Sequence, residues 1–516
     1  MHNRKLDTYI EQFYGYTSFR PGQKEIMESI LQRQDVLGVL PTGSGKSLCY
    51  ELPARLLSGT TIVVSPLIAL MIDQVKQLKA NGMKRVVALN SFMDYAERQD
   101  VYRYLGEYKI IYISPELIQA DQVLNRLKKI DISLFVIDEA HCISLWGHEF
   151  RPDYLKLSHV IKELGDPTVL ALSATAPSNI QKDIIAALNR PNMKKHIYPI
   201  DKENICFSIQ QVAHELEKID FLTDFLQKHH VPTLIYFSSR NVCEQVAEQL
   251  SIQLTNRKVA FYHGGMEQMD RLTIQQQFME DQIDIICCTN AFGMGINKPN
   301  IRAVIHFHLP SQIESFIQEI GRAGRDGEPS LSILLYAEHD QLLPRRIITN
   351  ELPTKEQITV VFQQLKQLAL QKQLLPKQVK EIEKMLGIEE IHWRFINYHL
   401  EKNDIIKNNQ IIYQATHWQN VFEHIVDMRI NRLNIKQNQL FAMLDWVHET
   451  DCLRESLYKG YQDTYDKPEQ HCCSNCDFVL EQWEPPQALR EIRTSHQDWQ
   501  RKLKALLLIG ENDETE

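Results

Sequence analysis

Leu40-Pro41-Thr42-Gly43-Ser44-Gly45-Lys46-Ser47 follows an apolar run and leads into an apolar helix start. Glycines let a backbone curl until several N–H groups face one phosphate chain, and the N-terminus of the next helix adds its positive end. In that geometry Thr42, Gly43, Ser44 and Gly45 form a cradle, Lys46 reaches the β- and γ-phosphates, and Ser47 offers its hydroxyl to Mg²⁺. The full phosphate-loop pattern has glycine at its first position, where this chain has Leu40. The exception fits a nucleotide-driven motor better than a small GTPase.

Two further stretches complete a triphosphate site. Asp138-Glu139-Ala140-His141 closes an apolar strand about 90 residues later. In a parallel sheet its strand end lies beside the loop, where Asp138 holds Mg²⁺ and Glu139 orients and deprotonates a water. Gln318 to Gly327 reads QEIGRAGRDG, with Arg322 and Arg325 three apart on one face. If the part of the chain that carries them closes on the loop, both meet the γ-phosphate as arginine fingers. A finger is worth about 10³–10⁵ in rate, roughly 4–7 kcal/mol of barrier. Hydrolysis then depends on closure.

The surrounding pattern supplies the scaffold. Strands are expected at Asp35–Leu40, Thr61–Ser65, Val86–Leu89, Ile110–Ser114, Leu134–Asp138 and Thr168–Ser173, with helical stretches between them. A second series runs Thr233–Ser238, Val259–Tyr262, Ile283–Cys288, Ala303–His306 and Ser332–Tyr336. This alternation predicts two tandem α/β domains with parallel sheets, over residues 1–200 and 201–345, linked near Pro199–Asn204. From about residue 350 the chain turns helical and polar. Three periodic segments, Ile358–Ala369, Pro376–Leu386 and Ile391–Leu400, precede a hairpin around Asn408-Asn409. That outline over 350–415 is a winged helix, with a plain helical bundle as the alternative. Residues 416–480 read as a helical hairpin carrying a cysteine cluster, and 481–516 as a tail with an acidic end.

Bulk composition sets limits. The chain has 516 residues, 43% hydrophobic and 24% charged, as globular proteins do. A net charge of −9 disfavours nonspecific coating of nucleic acid and leaves a local basic groove open. No apolar run approaches the ~20 residues of a membrane span, and Met1–Leu6 is no signal peptide, so a cytoplasmic location is expected. Six of the ten cysteines are scattered as reduced core residues; Cys452, Cys472, Cys473 and Cys476 crowd together, which reads as metal rather than disulfide.

Taken in order, these motifs resemble the RecQ family of superfamily 2 DNA helicases. The carrying stretch is Asp138 to Tyr154, DEAHCISLWGHEFRPDY, an aromatic-rich loop directly after the DEAH box. Phe19-Arg20-Pro21-Gly22-Gln23, Ser65-Pro66-Leu67, Ser114-Pro115-Glu116, Ser173-Ala174-Thr175, Tyr236 to Arg240, Tyr262 to Met266 and Ala291 to Lys298 follow in the family's order. Leu145 and Asn297 depart from the residues common there. The likeness runs continuously over about residues 10–340.

The resemblance implies two RecA-like domains followed by a mostly helical region. It implies ATP and Mg²⁺ as cofactors, with Gln23 reading the adenine edge, Arg20 packing on the base and Tyr16 assisting, and with Gly295 at the nucleotide. Ser65, Pro66 and Ser114 are implied to touch the DNA backbone, and Trp146, Phe150 and Arg151 to sense single-stranded DNA. It further implies 3′-to-5′ movement, single-stranded and duplex DNA as partners, a place beside repair and recombination proteins, and nucleoid association. Zinc needs four ligands. Cys452, Cys473 and Cys476 align with three of the family's, and Val479 occupies the fourth place, so His471 or Cys472 has to substitute or the cysteines stay reduced. Two rival readings stand beside this one: an RNA helicase of the same superfamily, against which the Trp146–Phe150 loop argues, and a scaffold with a dead nucleotide site, against which intact Lys46, Ser47, Asp138, Glu139, Arg322 and Arg325 argue.

Overall fold

The computed structural model describes residues 3–90, 93–144, 151–292, 298–376, 378–407, 409–462, 468 and 471–486. Its first lobe is a seven-stranded sheet of β1 (Val36–Val39), β2 (Thr60–Val64), β3 (Val86–Leu89), β4 (Ile110–Ile113), β5 (Ile132–Ile137), β6 (Thr168–Ser173) and β7 (Lys194–Ile197). The order is β3-β4-β2-β5-β6-β1-β7, and every pairing is parallel. Strands covered by helices on both faces carry continuous apolar runs, and all of β1, β2, β4 and β5 is buried.

The second lobe is a six-stranded parallel sheet of β8 (Ile205–Gln211), β9 (Thr233–Tyr236), β10 (Val259–Tyr262), β11 (Ile285–Cys288), β12 (Ala303–His306) and β13 (Ser330–Tyr336), in the order β10-β11-β9-β12-β13-β8. Two strands were not expected from sequence. β7 is a mostly exposed, lysine-rich edge strand, Lys194-Lys195-His196-Ile197. β8 stands where the linker was expected to have just ended, and its second half, Ser208 to Gln211, is polar. β7 escapes an apolar-run criterion because it is mostly exposed, and β8 because its apolar run is only Ile205-Cys206-Phe207.

The helical region begins with Lys355–Leu370, Val379–Leu386 and Glu390–Lys402, followed by the antiparallel pair β14 (Ile406–Lys407) and β15 (Gln410–Ile411). Thr354 caps the first of these helices in a reciprocal capping box with Gln357. Gly387, at φ 62°, ends the second. Phe362, Leu386, Trp393, Ile396 and Ile411 share one core.

Beyond it, the structure departs from the expected helical hairpin. One helix, Ala415–Val447, runs for 33 residues, about 50 Å at 1.5 Å per residue. Trp418, Val421 and Ile425 at its start are buried in the preceding core. Leu440, Met443 and Trp446 at its end are buried in the core of the two lobes. A polar middle, with different partners at each end, hides the continuity from sequence. Among the described residues no helix is long and apolar enough to cross a membrane.

A short helix, Leu453–Tyr458, then brings the cysteine loop onto the exposed edge of β8. Phe207 N–H donates to Cys472 O at 3.2 Å, and Ser474 N–H donates to Phe207 O at 2.9 Å. Covering a free sheet edge in this way removes a site for unwanted pairing. Phe207 is fully buried against Tyr458, with the Arg454 guanidinium 4.8 Å from its ring centre. Phe207→Ala should therefore lower stability by about 3–5 kcal/mol, seen as a lower urea midpoint; a midpoint equal to wild type would show that this joint carries no load.

Candidate active site

In an open parallel sheet the ligand crevice lies outside the carboxyl ends of the strands. Here three adjacent ends carry the chemistry. Leu40 to Ser47 follow β1, Ser173-Ala174-Thr175 close β6, and Asp138-Glu139 follow β5. β6 lies between the other two, so the DEAH box is one strand removed from the loop instead of directly beside it. Ser173 bridges that gap: Leu40 N–H donates to its carbonyl at 3.1 Å, and its hydroxyl lies 3.1 Å from His141 Nδ1. His141 Nδ1 is also 3.4 Å from Glu139 Oε2.

The loop is tight. Gly43 and Gly45 have φ of 82° and 76°, a backbone region costly for residues with a Cβ. Ser44 Oγ is buried and has no hydrogen-bond partner among the described residues. Gln23, also buried, braces the loop from below, its amide donating to Ser44 O at 2.8 Å and Gly45 O at 3.1 Å while its oxygen accepts from Arg20 N–H at 3.0 Å. Both of its N–H groups are thereby engaged. Gln23, expected at the adenine edge, thus lies directly beneath the phosphate loop. Arg20 donates to Gly43 O. Tyr16, 57% exposed, stacks on Tyr14 at the cleft's outer end.

Glu139 sits at φ 49°, a left-handed position rare for glutamate, directly after β5. Burial, then the neighbouring Glu139, push the Asp138 carboxyl up to about 7 against the pull of Lys46. A divalent cation between Ser47 and Asp138 would replace that proton and neutralise phosphate charge.

The second lobe closes the cleft. Arg322 and Arg325 follow the helix Ile313–Ile320 and line the same cavity, about 460 Å³, as Lys46, Ser47, Asp138 and Glu139. Contact across it is close: a Cβ on Gly321 would lie 2.8 Å from Thr42 Cβ, and one on Gly43 would lie 2.9 Å from Arg325 Cγ. Burial, then Arg322, push the Arg325 guanidinium down to about 9. A glycine cradle, an unpartnered Ser44 hydroxyl and two guanidiniums face one cavity, a donor set that suits a polyphosphate. A second interlobe contact, Gln275 Nε2 to Asp73 Oδ2 at 2.6 Å, joins the helices Gln268–Met279 and Ile68–Ala80.

Residues expected at DNA gather at the ends of β2 and β4, which are neighbours in the sheet. Arg151 donates to Pro66 O at 3.1 Å and lies 3.8 Å from Glu116. Ser65 is buried beside Pro66. Ser114 caps the helix Pro115–Ile118, its hydroxyl accepting from Leu117 N–H at 3.3 Å. Trp146, Phe150 and Gly295 lie outside the described residues. A further cleft in the second lobe, about 380 Å³, is lined by Ser238, Arg240, Thr289, Asn290 and His308. Sequence singled out the stretch Tyr236 to Arg240 and left Thr289, Asn290 and His308 unassigned.

The sulfurs of Cys452, Cys472, Cys473 and Cys476 all lie within 4.8 Å of one another. Cys452 and Cys472 are 3.6 Å apart, and Cys473 and Cys476 3.5 Å. Tetrahedral zinc with Zn–S bonds of about 2.3 Å separates sulfurs by about 3.8 Å, so the set fits such an ion. Cys472, not His471, completes it. Val479, in the expected fourth place, is 46% exposed.

Two parallel-sheet lobes with a phosphate loop, a DEAH box and facing arginines define an ATP-dependent helicase of the DEAD/DEAH-box class. Residues 20–183 match the DEAD/DEAH box helicase family and residues 217–327 the helicase conserved C-terminal domain. The chain is 41% identical over 93% of its length to a probable ATP-dependent DNA helicase RecS of Bacillus subtilis, covering 93% of that protein. It is 41% identical to ATP-dependent DNA helicase RecQ of Haemophilus influenzae, over 67% of this chain and 56% of that one. The chain belongs to the RecQ family of DNA helicases. In fold it also resembles the DEAD-box helicase Mss116 (TM-score 0.56, 15% identity, covering 87% of this chain and 94% of that one). The likeness to RecS, over 93% of the chain, is long enough to run into the helical region.

Glu51, on the same cleft, was not singled out by sequence. Burial pushes its carboxyl up to about 7, against the opposing influence of the nearby Tyr14 hydroxyl and the charge of Arg55. An unfolded glutamate titrates near about 4.3. The folded carboxyl holds its proton to higher pH, so its contribution to stability is full below the unfolded value and is lost as pH rises through about 7. Glu51→Gln, neutral throughout, should flatten the pH dependence of the urea midpoint over that window and raise the midpoint at alkaline pH. An unchanged slope would refute this account of Glu51.

Proposed function

We propose that this chain hydrolyses ATP to move 3′ to 5′ along single-stranded DNA and to part duplexes during recombination and repair. The observation that carries this reading is the cleft itself: Lys46, Ser47 and Asp138 line it from one lobe, and Arg322 and Arg325 from the other. Lys46 holds the β- and γ-phosphates, Glu139 orients and deprotonates the attacking water, and the two arginines stabilise charge on the transferring phosphoryl group. Mg²⁺ bound by Ser47 and Asp138 neutralises the phosphates. Hydrolysis thus requires the lobes to be together, and release of product lets them part. With a strand held by Ser65, Pro66, Ser114 and Arg151, alternation between the two states moves the lobes along it.

The energetics are balanced. Opening one base-pair step costs on average ~1.4 kcal/mol, and stacking one freed base on an aromatic such as Trp146 or Phe150 returns ~1–3 kcal/mol. Frayed bases can be trapped at little net cost, which leaves ATP to impose direction. The three helices and hairpin from Lys355 to Ile411 form a winged helix, and the four cysteines hold zinc. Names carried by the relatives, ATP-dependent DNA helicases all, support the substrate, and the repair and recombination setting with nucleoid association follows from the same kinship.

Strand displacement on tailed duplexes checks this reading. A 3′-tailed DNA duplex should separate with ATP, while the 5′-tailed form and its RNA counterpart should stay paired; the reverse polarity would overturn the assignment. Lys46→Ala should abolish both hydrolysis and separation, and directional unwinding by that variant would sink the scheme. Purified protein should carry about one zinc per chain, and Cys472→Ser should lose most of it by elemental analysis. Full zinc retention in that variant would remove Cys472 from the ligand set.

A further inference from the structure

The finger turn is held from an unexpected direction. Lys202 lies in the segment that joins β7 to β8, between the lobes, and its ammonium donates to Gly321 O at 2.6 Å and Ala323 O at 3.3 Å. Those two carbonyls flank Arg322. Two residues on, Asn204 Nδ2 donates to Gly324 O and Glu328 O, each at 2.8 Å. The turn Gly321 to Gly324 is therefore fastened to the interlobe segment by side chains as well as to its own lobe.

That segment is itself anchored. Arg454, fully buried beside the cysteine loop, donates to the Asp201 carboxylate, to Lys202 O at 3.1 Å and to Ile205 O. Gln462 Oε1 accepts from Ile200 N–H at 3.1 Å and Asp201 N–H at 3.3 Å. Lys202 thus reaches the finger turn from a backbone that the C-terminal module holds in place.

The charge environment argues against simple space filling. Burial, then Arg325, Arg20 and Arg322, push the Lys202 ammonium down to about 7. Placing a cation among three guanidiniums costs stability. An aliphatic side chain would fill the same volume without that cost. The nearby Asp326 carboxylate offsets part of it, and the pair of carbonyls, within reach of a donor on a long, flexible stem, offsets more.

We propose that Lys202 is a positioning residue for the arginine fingers, fixing the turn that carries Arg322 and Arg325 in register with the phosphate loop. It touches neither phosphate nor the attacking water in this role. Its effect falls on the step that needs the fingers and spares the binding that Lys46 and the loop provide. Displacing a reacting group by 1 Å costs as much as about 10²-fold in rate, so a loosened turn is felt strongly. This rests on the ATP-driven reading above.

The test compares wild type, Lys202→Met and Lys202→Arg in the full chain. ATP hydrolysis is measured at saturating single-stranded DNA, and amide hydrogen exchange is followed over residues 319–326. Lys202→Met should lower kcat by about tenfold or more while leaving KM for ATP within about twofold, and should speed exchange in the finger turn. Lys202→Arg, which keeps a long-stemmed donor, should restore both. Finger-turn exchange unchanged in Lys202→Met, or Lys202→Arg no better than Lys202→Met, overturns the proposal. A wild-type protein that hydrolyses no ATP on DNA overturns the motor reading instead; the exchange comparison then still decides whether Lys202 holds the turn.

Discussion

The two lobes meet at a pair of glycines: Gly321 lies against the Thr42 side chain, and Gly43 lies under the Arg325 side chain. An added Cβ at Gly321 would crowd Thr42 Cβ at 2.8 Å, and one at Gly43 would crowd the Arg325 side chain at 2.9 Å, so either would disturb the packing between the lobes. The same approach packs Arg20, Lys202, Arg322 and Arg325 within one another's fields, which lowers Lys202 and Arg325 from their usual values. Lys46 from one lobe and Arg322 and Arg325 from the other line one cavity, together with the carboxylates of Asp138 and Glu139.

The segment that joins the two lobes is held by the rest of the chain. Most strands of each lobe are buried on both faces. The joint is no free linker. Arg454 and Gln462 grip it, the cysteine loop extends the sheet of the second lobe at β8, and the 33-residue helix ties the same corner to the three-helix unit. Lys156 reaches Glu401 at 3.1 Å and connects that unit back to the first lobe. Exposed ion pairs of this kind contribute little stability; its significance is geometric, since it places the helical unit against the lobe expected to hold the DNA strand.

Local sequence determined the parts whose chemistry is contiguous in the chain. A glycine-rich turn between a strand and a helix, an Asp-Glu pair at a strand end, two arginines three apart and four crowded cysteines are each short enough to read directly, and the strand–helix alternation set the two-sheet architecture. Boundaries came within a few residues wherever strands are buried on both faces, because their apolar runs are unbroken.

Tertiary structure alone decided what depends on neighbours far apart in the chain. That β6 intervenes between loop and DEAH box, that Gln23 spends its N–H groups on the loop, and that Cys472 joins the sulfur cluster are matters of which segments lie side by side. β7 is a mostly exposed edge strand, β8 an edge strand with only a three-residue apolar run, and the long helix buries its two ends in different cores. Lys202 is the clearest instance: a lone lysine in a polar stretch carries no local signal, and its meaning arises from two carbonyls about 120 residues away that folding brings to its ammonium.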